Sequence, residues 1–237
     1  INTWVWLDAL SRREGRRLGL ADVPPHEWDR LAQLGFDGVW LMGVWERSPV
    51  GAAIARDHAG LQLDFRRALP DLTPEDVVGS PYCVRRYVVD ERLGGPPGLA
   101  AARAALERHG LRLLLDWVPN HVARDHPWVL EHPEYFVGGT AEDLGRDPDG
   151  FFQAGPHVLA CGRDPFFPPW TDVAQLDAFC PGLRDAAEAE LLALAGLVVA
   201  AMVATASWLA ERAPEAPDFA VVPTGLRVRV LGVDGLE

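Results

Sequence analysis

The stretch that decides the fold is Leu-Leu-Leu-Asp-Trp-Val-Pro-Asn-His, residues 113–121. Three consecutive leucines predict a short buried strand. A carboxylate, an amide and an imidazole follow where that strand would surface, at Asp116, Asn120 and His121. Burying polar groups beside an apolar strand costs free energy unless they have partners or a ligand. We therefore take these three residues as candidates for a functional site.

The same junction occurs three times along the chain: apolar residues at helical spacing end in a glycine, and an apolar strand follows. The three glycines are Gly35, Gly110 and Gly196. Glycine just past a helix end adopts the left-handed conformation without steric cost. Helices that alternate with short, wholly apolar strands are typical of βα units around a parallel sheet buried on both faces. We expect residues 4–7 (Trp-Val-Trp-Leu) to form the first strand.

Two long segments interrupt this alternation, between residues 45 and 97 and between residues 119 and 181. Loops of this length inside a compact domain are usually functional or form small subdomains. The second segment is rich in aromatic residues, which either offer platforms for sugar rings or form the core of a small insertion. These residues are Trp128, Tyr135, Phe136, Phe151, Phe152, Phe166, Phe167 and Trp170.

The composition restricts the partners of the chain. Its 237 residues carry a formal net charge of -12, from 22 basic and 34 acidic residues. An acidic chain does not attract nucleic acid or an anionic membrane surface, and we expect neither as a partner. A neutral carbohydrate is compatible with this charge. Cys83, Cys161 and Cys180 are odd in number and widely spaced, so we expect reduced thiols rather than a disulfide framework or a zinc site.

No signal peptide is visible, because no charged segment precedes an apolar stretch near Ile1. We therefore expect a cytoplasmic protein, while a start at Ile1 rather than Met leaves room for a missing N-terminal piece with a signal. Residues 191–210 contain no charged residue and are long enough to cross a bilayer. Their Ala-rich composition and acidic flanks favour a buried helix and strand. A membrane-tethered remnant is the alternative.

The segment from Asp116 to His121 resembles the first signature of the α-amylase superfamily of glycoside hydrolases (family 13), Asp-x-x-x-Asn-His at the end of the third barrel strand. The resemblance implies an α/β fold of the (β/α)8 TIM-barrel type, here incomplete, with about three to four βα units and a domain B inserted after strand 3. The implied boundaries are residues 1–118 for the first three units, 119–181 for domain B, 182–196 for the third barrel helix, and 197–237 for a divergent, unassigned tail in which a fourth strand would lie.

The resemblance also implies roles for particular residues. Asp116 would support the floor of the active site, and His121 would hydrogen-bond the sugar in the cleavage subsite. Asn120 would be a calcium ligand, and calcium is the one cofactor implied. Tyr82 matches the first Tyr of the family's Gly-Tyr-Asp-x-x-Asp-Tyr stretch, which stacks beneath the same sugar. The implied substrate-binding residues are thus Tyr82, His121 and Asp116.

Two segments depart from the family pattern. Cys83 and Arg86 stand at the positions of the two Asp residues that follow Tyr82 in the family stretch. Residues 173–177 (Val-Ala-Gln-Leu-Asp) resemble the Gln-Pro-Asp-Leu-Asn signature near the end of domain B but differ from it at most positions. These departures weaken the transfer of a calcium site.

The catalytic carboxylates have no counterpart in the chain. Retaining hydrolysis of a glycoside needs two carboxylates about 5 Å apart. The family places the nucleophile on the fourth strand in a Gly-x-Arg-x-Asp pattern, but the residues after Gly196 read Leu-Val-Val-Ala-Ala-Met-Val-Ala. A later imitation at residues 225–229 has Arg229 at the position of the nucleophile. The resemblance ends at about residue 196, which we interpret as a frameshift, a truncation or a divergent end.

The sequence therefore predicts a fragment of an α-amylase-like glycoside hydrolase. The parent enzyme would act on α-glucosidic bonds with retention, whereas this chain would be inactive and contain no catalytic residue. The expected partner is an α-glucan or an α-glucoside. The alternative is a non-catalytic carbohydrate-binding scaffold. A metal site is a less favoured hypothesis, because its spacing does not match a helical pair of ligands; its residues would be His121, Asp125, His126 and His132.

Overall fold

The structure, a computed structural model, describes residues 1–195 and the backbone of residues 200–203. The helices are α1 (Thr3–Glu14), α2 (Pro25–Gln33), α3 (Pro49–Asp57), α4 (Ala59–Ala68), α5 (Gly95–Arg108), α6 (Trp128–Glu131), α7 (Ala141–Arg146) and α8 (Pro181–Ala195). The strands are β1 (Gly38–Trp40), β2 (Trp45–Arg47), β3 (Val84–Val89), β4 (Arg112–Trp117), β5 (His121–Ala123), β6 (Gly138–Gly139), β7 (Phe151–Ala154), β8 (His157–Gly162), β9 (Trp170–Gln175) and β10 (Ala200–Val203).

The chain divides into two compact units. Unit 1 contains Ile1–Val44, Val88–Trp117 and the described part of Leu191–Glu237, and unit 2 contains Trp45–Tyr87 and Val118–Glu190. Each unit is the set of residues that mainly contact one another, and its residue ranges differ from those of the predicted domains. The boundaries 1–118, 119–181, 182–196 and 197–237 stay a prediction.

Unit 1 contains a parallel sheet of three strands in the order β1-β4-β10. Trp40 of β1 lies opposite Leu114 of β4, and Met202 of β10 lies opposite Asp116. The side chains of β4 from Leu113 to Trp117 are all buried. An apolar strand between two parallel neighbours is the arrangement predicted for residues 113–115, and that prediction is confirmed.

Two of the three predicted helix ends are confirmed. Gly35 follows the end of α2 with a φ of 75°, and Gly110 follows α5 with a φ of 72°. Both values lie in the left-handed region, where glycine avoids the steric cost that other residues incur. Gly196, at the third predicted junction, lies outside the described residues.

The first strand predicted at residues 4–7 is wrong, because these residues lie in α1. The side chain of Asn2 begins the helix by accepting a hydrogen bond from the N–H of Val5, and Gly15 ends it with a φ of 65°. The buried side chains keep the helical spacing i, i+3, i+4, i+7: Thr3, Trp6, Leu7 and Leu10. An apolar run of four residues does not by itself distinguish a buried strand from a helix.

Unit 2 contains an antiparallel sheet in the order β5-β9-β8-β6, with β7 also paired to β8. Its core includes Phe136 and Phe152, which are buried, and Trp128 and Tyr135 pack against this core with partial exposure. In contrast, Phe166 and Phe167 are 85% and 68% exposed. Four of the eight aromatic residues therefore serve the core of unit 2, whereas Phe166 and Phe167 are open to solvent, and the interpretation as sugar platforms stays a prediction.

In the part of the chain that the structure describes, no helix is long and apolar enough to span a bilayer. Residues 191–195 belong to α8, and residues 200–203 form β10. The remainder of the apolar segment 191–210, and most of the predicted tail 197–237, lie outside the described residues.

Candidate carbohydrate site

Asp116 lies at the end of β4 and is almost completely buried, with 1% of its surface exposed. Its Oδ1 accepts a hydrogen bond from the indole Nε1–H of Trp40 at 2.9 Å, and its Oδ2 accepts one from the backbone N–H of Gly43 at 2.5 Å. Trp40 is the last residue of the neighbouring parallel strand β1, and Gly43 follows that strand. Hydrogen bonds to a carboxylate offset the cost of burying its charge.

The backbone at Gly43 is held from two directions. Its N–H donates to Asp116, and its carbonyl accepts a hydrogen bond from the indole of Trp4 at 2.9 Å. Gly43 has a φ of 76°, a conformation that residues with a side chain rarely adopt. The guanidinium of Arg92 lies over the ring of Trp4 at 4.6 Å. Asp116 is therefore part of the packed framework of unit 1, and its role in supporting a site floor stays a prediction.

His121 begins β5 in unit 2 and pairs with Gln175 at the end of β9. Its ring packs edge-on against Trp170, with 5.3 Å between ring centroids and 67° between planes. Its Nδ1 lies 3.0 Å from the side-chain Nδ2 of Asn120. Burial lowers the pKa of His121 to about 4, and a hydrogen bond to the backbone of Tyr82 opposes this shift only in part. The imidazole is therefore neutral at neutral pH.

Tyr82 and His121, predicted to bind the same sugar, are brought together by this hydrogen bond. The backbone N–H of Tyr82 in turn donates to the hydroxyl of Ser80 at 3.2 Å. The next residue, Cys83, is buried and donates its thiol hydrogen to the backbone carbonyl of Asp172 at 3.2 Å. Burial raises the pKa of the Cys83 thiol, so this thiol does not supply the negative charge that the family's Asp has at this position.

Arg86, the other departure from the family stretch, is paired with an acid. Its Nε and Nη2 donate to the two carboxylate oxygens of Glu46 at 2.5 and 2.9 Å. The same carboxylate accepts from Arg85 at 2.9 Å. The hydrogen bonds from Arg86 and the charges of both arginines lower the pKa of Glu46. The two arginines are therefore partners of an acid in unit 2.

Asn120 does not have the surroundings of a calcium ligand. Its side-chain Oδ1 accepts a hydrogen bond from the Nε2 of Gln175 at 3.1 Å, and its backbone carbonyl accepts from the same nitrogen at 2.9 Å. Calcium takes six to eight oxygen ligands, several of them carboxylates. Among the described residues, no group of three or more His, Cys, Asp or Glu is placed to hold a metal. The expectation of calcium stays untested, and we derive no step through it.

The second metal hypothesis receives no support either, because its residues have other partners. Asp125 accepts a hydrogen bond from Ser48 at 2.6 Å. His126 accepts one from the backbone N–H of Trp128 at 3.2 Å, and burial lowers its pKa to about 4. His132 pairs with Glu134 at 3.0 Å.

The strand beside Asp116 has no carboxylate. In the register of β10 with β4, Ala201 lies opposite Leu115, Met202 opposite Asp116, and Val203 opposite Trp117. The family's nucleophile would lie on this fourth strand, beside the signature on the third. No described position of β10 offers the oxygen nucleophile that retaining glycoside hydrolysis requires.

Three residues of these sites were not identified as site residues from the sequence. Trp40 supplies the indole donor to Asp116, Gln175 binds Asn120, and Trp170 packs on His121. Trp170 was noted only as one of eight aromatic residues. Gln175 lies in the segment 173–177, whose departure from the family signature was the available signal. Trp40 is 76 residues from Asp116 along the chain, and no local pattern reports that contact.

Unit 1 thus has parallel strands connected through helices, and one of them, β4, carries the buried Asp116 near its end. No family model matches the chain. An α-1,4-glucan:maltose-1-phosphate maltosyltransferase of Salinibacter ruber is 27% identical over 149 residues, covering 56% of this chain and 20% of the relative. The trehalose synthase/amylase TreS of Mycobacterium tuberculosis is 30% identical over 146 residues, covering 61% and 17%.

A solved α-amylase from Lactobacillus plantarum has the same fold, with a TM-score of 0.54 and 21% identity over 78% of this chain and 34% of its own. These relatives confirm the resemblance to α-amylase-type enzymes that the segment from Asp116 to His121 indicated, and the solved α-amylase shows that the chain has part of the same fold. It spans about a fifth of the length of the curated relatives that it matches.

Proposed function

We propose that the chain is the N-terminal portion of an α-glucan-active enzyme of the α-amylase type, which retains carbohydrate-binding residues without catalysis. Its fold would be an incomplete barrel of three to four βα units with a domain B after the third barrel strand. The parallel order β1-β4-β10 and the antiparallel sheet that begins soon after β4 support this assignment. The relatives are named for α-1,4-glucan, maltose 1-phosphate and trehalose, which supports an α-glucan or α-glucoside as ligand.

The cluster of His121, Tyr82 and Trp170 in unit 2 is the proposed sugar-binding part. A neutral imidazole offers a directional hydrogen bond to a hydroxyl group, and aromatic rings offer apolar faces to a sugar ring. Asp116 would support the part of the site that lies in unit 1, because its buried carboxylate joins the end of β4 to Trp40 and Gly43 by hydrogen bonds. Nucleic acid and membrane are not part of this proposal.

The lack of catalysis is supported most directly by the register of β10. The position opposite Asp116 is Met202, and its neighbours are Ala201 and Val203. None of these residues can attack an anomeric carbon or donate a proton to a leaving group. A parent enzyme would supply both carboxylates and act with retention, whereas the chain as given would bind without cleaving. The three free cysteines, two of them buried, support a reducing, cytoplasmic location.

Isothermal titration with maltotriose tests the binding part of the proposal. We expect measurable heat with the full chain, and loss of at least half of the affinity in His121→Ala, since one hydrogen bond to a neutral group contributes about 0.5–1.5 kcal/mol. His157→Ala is the matched control, because His157 is exposed on β8. Absence of heat at millimolar maltotriose, or equal loss in both variants, would contradict a site at His121.

A further inference from the structure

The side chain of Gln175 is oriented by backbone groups. Its Oε1 accepts a hydrogen bond from the N–H of Arg163 at 2.9 Å. Its Nε2 donates to the carbonyl of Asn120 at 2.9 Å and to the carbonyl of Leu176 at 3.2 Å. A backbone N–H only donates and a carbonyl only accepts, so a reversed amide would face like groups at all three contacts. The oxygen and nitrogen of Gln175 are therefore assigned by chemistry.

The orientation of Gln175 determines that of Asn120. The Nε2 of Gln175 has two hydrogens for three acceptors, so the side chain of Asn120, at 3.1 Å, shares one of them with a backbone carbonyl, and only the oxygen of that amide can accept. The other atom of the Asn120 amide, Nδ2, then faces the Nδ1 of His121 at 3.0 Å. An amide nitrogen has hydrogens and no available lone pair. The Nδ1 of His121 must therefore be the acceptor.

We propose that Gln175 and Asn120 form an amide relay that fixes His121 as the tautomer with its hydrogen on Nε2. A neutral imidazole has one N–H, and a ring that accepts at Nδ1 carries that hydrogen on Nε2. The relay begins at the backbone of Arg163 and ends at the imidazole. Gln175 and Asn120 are positioning residues, since they act on a ligand only through His121.

Two further observations support the relay. Gln175 is buried, with 6% of its surface exposed, so water does not compete for its hydrogen bonds. A second hydrogen on His121 would have to sit on Nδ1, facing the donor Nδ2 of Asn120. Adding that hydrogen would set two donors against each other. The edge-on contact with Trp170 restricts the ring plane.

The relay determines whether His121 donates or accepts a hydrogen bond when a ligand binds, and this step rests on the proposed function. The Nε2–H is the one donor of the ring, and its Nδ1 acceptor is taken by the amide of Asn120. His121 would donate to a hydroxyl oxygen of an α-glucoside rather than accept from it. The backbone of Tyr82 is the hydrogen-bond partner of the ring in this structure. A sugar hydroxyl can also accept, and it would share this N–H with the backbone of Tyr82 or replace that backbone as the acceptor.

The relay is tested on the full-length chain by long-range ¹H–¹⁵N spectra of its histidine side chains at neutral pH. In the unsubstituted protein we expect the Nδ1 of His121 to resonate as an unprotonated nitrogen and its Nε2 as a protonated one. In Asn120→Asp, the introduced carboxylate accepts from Gln175 and from the imidazole, and the hydrogen moves to Nδ1. Asn2→Asp is the matched control: it makes the same chemical change at the cap of α1, and His121 should keep its tautomer.

Several outcomes would overturn the relay. Detection of a hydrogen on Nδ1 of His121 in the unsubstituted protein would be enough to overturn the relay. The test therefore does not depend on whether any variant folds. An unchanged tautomer in a folded Asn120→Asp protein also overturns it. In Gln175→Ala, whose Asn120 amide is free to rotate, we expect a mixture of tautomers, and a single Nε2–H form would contradict us.

Maltotriose separates the relay from the proposed function. We expect Asn120→Asp to weaken binding by roughly tenfold, the equivalent of one hydrogen bond at about 1.4 kcal/mol. If the unsubstituted chain shows the Nε2–H tautomer but no maltotriose binding, the proposed function fails and the relay stands. If maltotriose binds and the tautomer is Nδ1–H, the relay fails and the proposed function stands.

Discussion

Replacing Trp40 by Phe should show how much the buried carboxylate of Asp116 depends on its indole partner. The substitution keeps an aromatic ring but removes the donor that lies 2.9 Å from Oδ1. Hydrogen bonds to charged groups contribute about 1.5–3 kcal/mol, because the carboxylate would otherwise be buried with an unmet acceptor. The carboxylate keeps the N–H of Gly43, so we expect the free energy of unfolding to fall by roughly 2 kcal/mol.

Trp6→Phe is the matched control for this change. Trp6 is buried in the same unit, with 6% of its surface exposed, and its indole nitrogen is buried without a hydrogen-bond partner among the described residues. The substitution makes the same reduction in volume but breaks no hydrogen bond, and it removes a polar atom whose burial is unfavourable. Its effect on the free energy of unfolding therefore reports packing and the removal of this unpaired polar atom, with no lost hydrogen bond.

Urea denaturation followed by tryptophan fluorescence and circular dichroism gives both free energies by linear extrapolation. We expect Trp40→Phe to be more destabilising than Trp6→Phe by at least about 1 kcal/mol, the lower part of the range for a hydrogen bond to a charge. Equal destabilisation in the two variants would refute the argument, because it would mean that the indole of Trp40 contributes packing and nothing to the burial of Asp116.

Three further predictions concern unit 2. Glu46→Gln should cost at most about 1 kcal/mol at pH 7, because the pair with Arg86 is exposed. Because the folded pKa of Glu46 is lowered, the carboxylate stabilises the fold above its unfolded pKa of about 4.3, and this stabilisation is lost as pH falls through the folded pKa. The free energies of unfolding of the variant and the unsubstituted chain should therefore converge in urea titrations at low pH. A difference that persists at low pH would contradict this. An alkylating reagent should label the partly exposed Cys180 before the buried Cys83 and Cys161, as measured by peptide mass mapping. Equal rates of labelling of the three thiols in the folded protein would be evidence against the described core. Millimolar calcium should leave the melting temperature unchanged in a thermal scan, because the oxygen of Asn120 is occupied by Gln175; a rise of several degrees would indicate a site that we do not derive.

The parallel strands could be predicted from the sequence because their signals are local. Three leucines before Asp116 and a glycine after each of α2 and α5 indicate a helix end followed by a buried strand. The error at residues 4–7 has an equally local cause. The cap at Asn2 and the spacing of Leu7 and Leu10 indicate a helix. The apolar run of residues 4–7 was interpreted as a strand instead.

The candidate site could be predicted only in part. His121 and Tyr82 were selected as sugar-binding residues, and the structure brings them together, while their role stays a prediction. The partners that orient them are distant in sequence: Gln175 is 55 residues from Asn120. The choice of an amide at residue 175, where the family signature has Asp, places a hydrogen-bond donor beside Asn120. That choice has meaning only when β5 and β9 are paired.

Turnover of a nitrophenyl α-glucoside by the full-length purified chain tests most directly whether the carbohydrate site lacks catalysis. The strand beside Asp116 offers Ala201, Met202 and Val203 and no carboxylate. Retaining cleavage needs both a nucleophile and a proton donor. We therefore predict nitrophenol release at the solvent rate, with no dependence on protein concentration. Release well above that rate, proportional to the amount of chain and abolished by unfolding it, would contradict the account.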